Sequence, residues 1–392
     1  MFKKILIVNR GEIAIRVIRT CRDMGINTVA IFSEADRTSP HVLKADEAYC
    51  VGTPPASKSY MNIDKILEII KLTGADAVHP GYGFLSENAS FAELISKAGA
   101  VWIGPTSSAI STMGDKMAAR KLAEKVGVPV VPGTTEPIKD LQTAKKTAEG
   151  IGYPILIKAA GGGGGKGMRI IKSPSELTDA MEVAKSEAKQ AFSDDRIYIE
   201  KYLEEPHHIE IQVFADNHGN VVSLGERECS IQRRYQKIIE ETPSPFIDSK
   251  LRNNLSQSAI QITRSCKYIG AGTVEFLIDK DHNYYFLEMN TRIQVEHPIT
   301  EMVTGIDLVK EQIQVAAGEK LSFTQDDIQL TGHALECRVY AEDGFNNFSP
   351  STGIIQEITM PQGLGVRMDE GIRTGQEITP YYDPLLGKLI TW

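Results

Sequence analysis

The sequence predicts a mixed α/β protein, and three observations carry this prediction. Strand and helix patterns alternate in the N-terminal part of the chain, as they do in a doubly wound parallel sheet. A glycine-rich segment lies between two strand patterns in the middle, and mostly strand patterns follow it. A chain of 392 residues is long enough for two or three domains and a sizeable core.

The composition excludes several classes of protein. Hydrophobic residues make up 42% and charged residues 24%, as in an ordinary globular protein. No apolar run reaches the roughly 20 residues of a membrane helix, and a net charge of −8 argues against a general nucleic-acid binder. We therefore expect neither a membrane nor a nucleic acid as a partner. The five scattered cysteines form no CxxC pair, which favours reduced thiols in the cytoplasm over disulfides or a zinc site.

The parallel sheet is predicted in residues 1–113. Its strand patterns are residues 4–8, 28–32 and 75–78, and its helix patterns are residues 12–24 and 62–73. Residues 9–12 form the loop where such sheets bind nucleotides, but they contain no GxGxxG motif, so no dinucleotide site is predicted. Residues 79–88 are rich in turn residues and have two interpretations, a structural loop that caps the next helix or a functional loop.

A second domain is predicted at residues 114–331, with a lid at residues 131–203. The lid patterns are a helix at 141–150, strands at 154–158 and 168–171, a helix at 174–192 and a strand at 196–200. Residues 208–303 are predicted to be mostly strands, with one helix near 250–269 and a hairpin turn at 279–283. A strand-rich third domain covers residues 332–392, and we expect it to be partial because its pattern stops without a closing helix.

The glycine-rich segment at residues 160–168 predicts a phosphate-binding flap. Glycines let backbone N–H groups approach phosphates closely, and a hairpin tip of this kind can fold over a nucleotide. The segment lacks the GxxxxGK[ST] pattern of a Walker A loop. A flexible linker is the alternative, although strands on both sides argue against it. Lys158 and Lys116 are then candidate phosphate ligands, whereas either lysine alone would more often be solvated.

A carboxylate within an apolar strand indicates a metal site. Glu275 lies in such a strand, and the hairpin places Glu288 and Asn290 on the neighbouring strand. A buried carboxylate is costly unless it is paired or bound to a metal, and carboxylate and amide oxygens suit magnesium. The sequence therefore predicts one or two magnesium ions bridging nucleotide phosphates, with a surface hairpin as the alternative.

The stretch from Glu288 to His297 is the most informative part of the chain. If the backbone stays extended, alternation places five polar side chains on one face: Glu288, Asn290, Arg292, Gln294 and Glu296. Arginine clamps anions with two parallel hydrogen bonds, so an anion site is predicted beside the metal site. Lys237, in a basic run at residues 232–237, is predicted to point into the same anion pocket. A solvated edge strand is the alternative.

Together these features resemble biotin carboxylase of the ATP-grasp superfamily. The resemblance rests on motifs spread over the chain, at residues 4–14, 79–88, 113–116, 200–203, 208–212, 232–237, 288–298, 332–338 and 381–384. The superfamily includes carbamoyl phosphate synthetase and purine ligases, and the motif at 288–298 together with Arg338 separates this chain from them. The resemblance implies a Rossmann-like N-terminal domain, an ATP-grasp domain with a mobile glycine-rich lid and a partial C-terminal domain.

The resemblance also implies a role for each site residue. The ATP-binding residues would be Lys116, Lys158, Gly164, Gly165, Glu200, Lys201, Tyr202, Leu203, His208, Gln232, Tyr235, Glu275 and Glu288. Magnesium, or manganese in its place, would bind to Glu275, Glu288 and Asn290. Lys237, Arg292, Gln294 and Val295 would surround bicarbonate. Glu296 would be the general base, with Arg292 and the metal favouring its charged form. Arg338 would stabilise the biotin enolate, and Arg292 and Lys237 would complete the catalytic group. Tyr235 stands where many relatives carry histidine, which predicts an altered nucleotide affinity.

The implied activity is ATP- and bicarbonate-dependent carboxylation of biotin through carboxyphosphate, the first half-reaction of acetyl-CoA, acyl-CoA or pyruvate carboxylases. The implied partners are a biotin carboxyl carrier protein, carboxyltransferase subunits and, for a full-length chain, a second copy in a homodimer. Two alternatives remain open at this point. One is another ATP-grasp ligase, such as a carbamoyl-phosphate-type enzyme, and the other is a non-catalytic ATP-binding or scaffold subunit.

Overall fold

A computed structural model describes residues 1–134, 136–159, 168–192 and 194–392, without the side chains of residues 191 and 192. The N-terminal elements are β1 (Lys4–Ile7), α1 (Gly11–Asp23), β2 (Asn27–Ser33), α2 (Pro40–Lys44), β3 (Glu47–Gly52), α3 (Ile63–Thr73), β4 (Ala77–His79), α4 (Ala89–Lys97) and β5 (Val101–Trp102). Their strands pair in parallel in the order β3-β2-β1-β4-β5. This confirms the predicted doubly wound sheet, which has apolar cores on both faces.

The lid forms a small sheet of its own. Its elements and those leading to it are α5 (Ser107–Gly114), α6 (Lys116–Lys125), α7 (Leu141–Ile151), β6 (Ile155–Ala159), β7 (Arg169–Ile171), α8 (Leu177–Phe192) and β8 (Ile197–Lys201). The antiparallel strands lie in the order β7-β6-β8, and α7 and α8 pack on them around a separate apolar core. The predicted flap lies outside the described residues except for Met168.

One antiparallel sheet of eight strands forms the rest of the framework. Its elements and the helices between them are β9 (His207–Ala215), β10 (Val221–Arg233), β11 (Gln236–Thr242), α9 (Ser249–Ser265), β12 (Gly270–Ile278), β13 (Tyr284–Asn290), α10 (His297–Thr304), α11 (Leu308–Ala316), β14 (Ala334–Tyr340), β15 (Glu342–Asp343), β16 (Ser349–Pro350), β17 (Gly353–Ile354), β18 (Val366–Glu370), β19 (Glu377–Ile378) and β20 (Leu385–Thr391). The strand order is β13-β12-β9-β10-β11-β14-β20-β18, and two short strand pairs, β15-β16 and β17-β19, lie outside this sheet.

The strand predicted from Glu288 to Glu296 is wrong beyond Asn290. β13 ends at Asn290, the backbone turns, and α10 begins at His297. Ile293 is fully buried in the core beside α1 and α11, and Pro298 occupies the first turn of α10, where its fixed φ favours a helix. The prediction of mostly strands up to residue 303 fails here for the same reason.

The parts of the molecule meet around one space. α1 and α11 share an apolar core with β9, β10 and β12, which joins the N-terminal sheet to the large sheet. The lid sheet lies across the space from β12 and β13, because residues of both line a common cavity. Among the described helices, none is long and apolar enough to cross a membrane.

Candidate active site

A cavity of about 520 Å³ lies between the lid sheet and the large sheet, a size typical of small-molecule sites. It brings together all the site residues that the sequence analysis singled out and that the structure describes. They are Lys116, Lys158, Glu200, Lys201, Tyr202, Leu203, His208, Gln232, Tyr235, Lys237, Glu275, Glu288, Asn290, Arg292, Gln294, Val295, Glu296 and Arg338. Gly164 and Gly165 lie outside the described residues.

The lid side of the cavity carries a buried ion-pair triad. The ammonium Nζ of Lys158 donates to Glu200 Oε2 at 2.7 Å, and Arg120 Nη1 donates to Glu200 Oε1 at 2.8 Å. All three side chains are nearly inaccessible to water. Arg120, from α6, was not predicted. Lys201, by contrast, directs its ammonium to the carbonyls of residues 152 and 153, at 2.9 and 3.1 Å.

The opposite wall is the predicted hairpin of β12 and β13. Glu275 pairs directly with Glu288, and Thr273 pairs with Asn290, so the register matches the sequence argument. Lys116 Nζ donates to Glu288 Oε2 at 2.8 Å. Burial would lower the pKa of the Lys116 ammonium, but Glu288 and other carboxylates outweigh burial and raise this pKa. The lysine is therefore held fully charged at the cavity wall.

His208 is hydrogen-bonded to the β12–β13 hairpin, and the partners of its two ring nitrogens define the tautomer of the imidazole. The amide of Gln232 donates to Cys229 O and to His208 Nδ1, at 2.8 and 3.0 Å. An amide nitrogen can only donate, so Nδ1 accepts and Nε2 carries the proton. Nε2–H then donates to Glu275 Oε2 at 2.8 Å.

Lys237 lies at the centre of a carboxylate cluster. Its Nζ donates to Glu210, to Glu275 Oε1 at 2.8 Å and to Glu296 Oε1 at 2.8 Å. Burial alone would lower the pKa of Lys237, yet the three carboxylates hold it well above its ordinary value. In the described structure the predicted anion-pocket lysine thus neutralises protein carboxylates. Glu210, on β9, was missed because it lies inside an ordinary strand pattern.

Glu296, which lines the cavity, is bound by two cations. Lys237 contacts one oxygen, and Arg338 Nη2 donates to the other at 3.0 Å. Burial would raise the pKa of Glu296, but Lys237 and Arg338 hold it well below its ordinary value. The resemblance predicts this effect from Arg292 and the metal, whereas Lys237 and Arg338 are the main cations around Glu296 among the described residues. Arg338 has a second anchor, because its Nε donates to Glu240 Oε1 at 2.7 Å.

Arg292 is oriented by a loop of the N-terminal domain. Its Nε donates to Glu87 Oε2 at 3.0 Å, and Glu87 Oε1 accepts the backbone N–H of Thr291 at 3.0 Å. The loop at residues 79–88 also caps α4, since Asn88 accepts from the N–H of Phe91 at 2.8 Å. The structural interpretation of this loop is therefore confirmed, and the functional interpretation stays a prediction. Glu87 is a residue that the sequence analysis missed, although it lies within a motif of the family resemblance.

Gln294 is positioned by a fully buried arginine. Arg227 Nη2 donates to Gln294 Oε1 at 2.6 Å, and Arg227 also binds Glu210 and Thr300. The Gln294 amide nitrogen donates in turn to Glu275 Oε1 at 2.9 Å. Val295 contributes its carbonyl, which accepts from Lys388 Nζ at 2.7 Å.

Tyr235 lies at the tip of a two-residue turn that joins β10 to β11. Arg234 and Tyr235 have φ values of 52° and 64°, the pattern of a type I′ hairpin turn, which usually contains Asn or Gly. The side chain of Tyr235 is 60% exposed and lines the rim of the cavity. A two-residue turn therefore carries Tyr235, for which an altered nucleotide affinity stays a prediction.

Three family profiles match the chain. They are "Biotin carboxylase, N-terminal domain" at residues 1–110, "Carbamoyl-phosphate synthase L chain, ATP binding domain" at residues 115–324 and "Biotin carboxylase C-terminal domain" at residues 336–392. Biotin carboxylase 1 of Bacillus subtilis is 52% identical over 393 residues, covering 100% of this chain and 87% of the relative. The chain belongs to the biotin carboxylase family.

Other similar proteins agree with the biotin carboxylase assignment. A pyruvate carboxylase subunit of Methanothermobacter thermautotrophicus is 54% identical, covering 100% of this chain and 80% of the relative. The biotin carboxylase domain dimer of Hydrogenobacter thermophilus 2-oxoglutarate carboxylase, crystallised with MgADP, ADP and bicarbonate, has a TM-score of 0.97 at 49% identity, covering 100% and 86%. The β-γ-ATP complex of Campylobacter jejuni biotin carboxylase has a TM-score of 0.97 at 46% identity, covering 100% and 87%.

The oxygen donors of the hairpin fit a hard cation by their chemistry. Glu275, Glu288 and Asn290 supply carboxylate and amide oxygens on adjacent strands, the ligand types that magnesium prefers. In the described structure Lys116 and Lys237 neutralise these carboxylates. Asn290 donates its amide nitrogen to Glu275 at 2.7 Å, and its amide oxygen accepts from Arg292 Nη2 at 3.0 Å.

Proposed function

We propose that this chain carboxylates biotin on a carrier protein, using ATP and bicarbonate. The observation that supports it best is the placement of Glu296 between Lys237 and Arg338 in the cavity that Arg292 and Gln294 also line. This group combines a charged base, anion-binding cations and an arginine beside the base. A simple ATPase or a scaffold protein does not need that combination.

ATP would bind between the lid and the hairpin. Lys158 and Lys116 supply positive charge to the phosphates, and Glu200 with residues 201–203 borders the end that we assign to adenine. Glu275, Glu288 and Asn290 would hold magnesium, which neutralises charge on the transferring phosphoryl group when bound. Each lysine is paired with a carboxylate, Lys116 with Glu288 and Lys158 with Glu200. Either lysine can exchange this carboxylate for a phosphate oxygen.

Bicarbonate would bind among Lys237, Arg292, Gln294 and the backbone of Val295. When Lys237 turns from Glu296 to the anion, Glu296 loses one of its two cations and its pKa rises toward that of a useful base. Glu296 then accepts the bicarbonate proton, and a bicarbonate oxygen forms a bond to the γ-phosphorus as the bond to the β-phosphate oxygen breaks. The products are ADP and carboxyphosphate.

Carboxyphosphate then breaks into carbon dioxide and phosphate. The phosphate removes the N1 proton of biotin, Arg338 stabilises the negative charge on the ureido oxygen, and N1 forms a bond to carbon dioxide. The lid would exclude water from the intermediate.

We further propose a biotin carboxyl carrier protein and carboxyltransferase subunits as partners, and a homodimer. The support is that similar chains carry the names of parts of larger carboxylases, and that one structural neighbour is a dimer. Five unpaired cysteines support a cytoplasmic location.

The test is ATP hydrolysis that depends on biotin. Purified protein with magnesium, ATP, bicarbonate and free biotin should release phosphate faster than without biotin, and EDTA should abolish the release. Glu296→Gln should lower the biotin-dependent rate by about 10²- to 10⁴-fold, the usual contribution of a general base. Glu319→Gln, at an exposed position, is the matched control. Normal ATP binding without any biotin dependence would refute the proposal, and turnover with bicarbonate and ammonia would favour a carbamoyl-phosphate-type ligase.

A further inference from the structure

Two buried glutamates stand side by side behind Arg338. Glu240 on β11 and Glu336 on β14 are direct cross-strand partners, so their side chains lie on the same face of the sheet. Arg338 lies on that face too, two residues along β14. Both glutamates are fully buried. Neither is part of the reaction scheme above.

These glutamates have unused hydrogen-bonding capacity. One carboxylate oxygen of Glu240, Oε1, accepts a hydrogen bond from Arg338 Nε at 2.7 Å. Its other oxygen and both oxygens of Glu336 have no hydrogen-bond partner among the described residues. Leaving an ionised carboxylate buried and without a donor costs several kcal/mol. A proton on one of the two carboxyls removes that cost and supplies the missing donor.

Charged and titratable groups face the pair from every element around it. They are Lys237 on β11, Cys229 on β10, Cys337, Arg338 and Tyr340 on β14, Lys388 on β20, Glu296 before α10, Tyr82 in the 79–88 loop and, behind Lys388, Glu12 on α1 and Asp369 on β18. Lys388 is the cation that most lowers the pKa of Glu336, but its ammonium donates to the carbonyl of Val295 at 2.7 Å and contacts Glu12 at 3.2 Å. Arg338 is shared between Glu240 and Glu296.

The balance of these groups favours a proton on the pair. Burial raises the pKa of Glu336 well above its ordinary value, Glu240 and Glu296 add to the rise, and Lys388 and Arg338 do not offset it. Burial also raises the pKa of Glu240, to about 7. Among the described residues Glu336 has no hydrogen-bond donor and Glu240 has Arg338, so the surroundings favour Glu336 over Glu240 as the site of a proton.

We propose that Glu336 is a positioning residue for the biotin step, whose protonated carboxyl donates its O–H to Glu240 and so fixes the carboxylate that orients Arg338. Arg338 has two anchors, Glu296 and Glu240. Once Glu296 has accepted the bicarbonate proton, it is a weaker acceptor for the guanidinium. Glu240 is then the remaining anionic anchor while Arg338 faces the ureido oxygen, and Glu336 holds Glu240 in place.

Two substitutions separate a proton donor from a charge. Glu336→Gln keeps a donor of the same shape, whereas Glu336→Met keeps the volume and removes the donor. With free biotin as the probe, Glu336→Gln should stay within about twofold of wild type, and Glu336→Met should lose about tenfold in biotin-dependent kcat, the effect of one buried hydrogen bond. The KM values for ATP and bicarbonate should stay unchanged in both.

The pH profile gives an independent readout. The raised pKa of Glu336 means that its proton is lost on the alkaline side. The wild type should therefore lose biotin-dependent kcat/KM there, and Glu336→Gln should lack that loss.

Three outcomes would overturn the proposal. If Glu336→Gln is as impaired as Glu336→Met, Glu336 acts as a carboxylate, with Lys388 as its counter-ion, and the proposal is wrong. Wild-type rates in both variants would also refute it. If Glu336→Met does not fold, the pH profile of Glu336→Gln alone decides, and an alkaline loss equal to that of wild type contradicts the proposal. The proposal rests on the proposed biotin carboxylation, whose own failure would show as a wild-type enzyme without biotin dependence.

Discussion

At the scale of single residues, Lys237 links the buried charged groups of the site through its ion pairs. One ammonium contacts three buried carboxylates, and two of them, Glu275 and Glu296, are proposed to serve different substrates. Both carboxylates have pKa values well below the ordinary range although burial opposes this, and Lys237 is the main cation for each. When substrates bind, one movement of this side chain would therefore change the charge at the metal site and at the base together.

Lys237→Gln should destabilise the protein as well as inactivate it. Removing the cation leaves the buried Glu275 without a charged partner and takes one of two cations from Glu210 and from Glu296. Breaking buried pairs in this way costs about 3–5 kcal/mol. Urea unfolding at pH 7 measures the loss, and the exposed Lys250→Gln variant is the control. A loss below about 1 kcal/mol, the range of a surface ion pair, would contradict the central role given to Lys237.

Glu87→Ala should weaken bicarbonate binding without affecting ATP. Glu87 holds the Arg292 guanidinium and the Thr291 backbone, so its loss frees the side chain proposed to clamp the anion. A charge-assisted hydrogen bond is worth about 1.5–3 kcal/mol, which predicts a KM for bicarbonate raised about tenfold or more. Steady-state kinetics with bicarbonate varied measures this, and Glu93→Ala, on the exposed face of α4, is the control. Equal increases in both KM values would point to a general disturbance instead.

At the scale of elements, the sequence predicts helices and strands well where the apolar period and the end signals agree. Gly74 ends α3 in the left-handed conformation, with φ of 62°, as the pattern indicates. The failure after Asn290 has a physical cause, because Ile293 and Val295 continue the alternation of β13 while Ile293 enters a different core. Pro298, in the first turn of α10, was an available signal for a helix start.

The residues that line the cavity were predicted from sequence motifs. The buried residues that hold them in position were not predicted. Lys158, Lys237, Glu275 and Glu296 stand out in the sequence because they interrupt apolar strands or lie in recognisable runs. Glu210, Arg227 and Glu240 look like ordinary members of alternating strands, and their partners are distant in the chain. Their role follows only from the sheet register, which brings β9, β10 and β11 together. Sequence alone does not specify that register.

The helix cap before Lys116 should be important for ATP binding. Asp115 accepts hydrogen bonds from the N–H groups of Met117 and Ala118 at 2.9 and 3.0 Å. These bonds fix the first turn of α6 and therefore the backbone from which the Lys116 side chain extends. Asp115→Ala should cost about 1 kcal/mol and raise the KM for ATP. Asp248→Ala removes the equivalent cap of α9 and should cost similar stability with no change in KM. If the two variants have the same KM for ATP, the cap before Lys116 has no specific role in ATP binding.

At the scale of the whole molecule, a buried cluster ties the first sheet to the last segment of the chain. Asp36 accepts two hydrogen bonds from Arg10 at 2.7 Å and one from Tyr60 at 2.5 Å. Arg10 in turn lies over the ring of Tyr382, 4.3 Å from its centre, and Tyr382 donates to Ser33. The residues at 381–384, part of the family resemblance, thus help to hold the N-terminal domain.

This cluster predicts a defined pH dependence of stability. Burial would raise the pKa of Asp36, but Arg10, with smaller effects of His41 and Tyr60, lowers it from 3.8 to about 2. A lowered carboxyl pKa stabilises the folded state above the unfolded pKa, and this stability is lost as pH falls through about 2. Asp36→Asn should remove about 2 kcal/mol of pH-dependent stability between pH 5 and pH 2, measured by urea unfolding. Asp64→Asn, at an exposed position, is the control, and parallel curves for wild type and Asp36→Asn would contradict the assignment.

The eight-stranded sheet has a consequence for dissecting the protein. β11 pairs with β14 over four residues, so hydrogen bonds cross the predicted boundary at residues 331 and 332 without interruption. A gene fragment that stops at residue 331 would leave β11 as a bare edge, a ready template for intermolecular pairing. We expect such a fragment to be recovered from inclusion bodies, and co-expression of residues 332–392 as a separate peptide to restore soluble material by strand complementation.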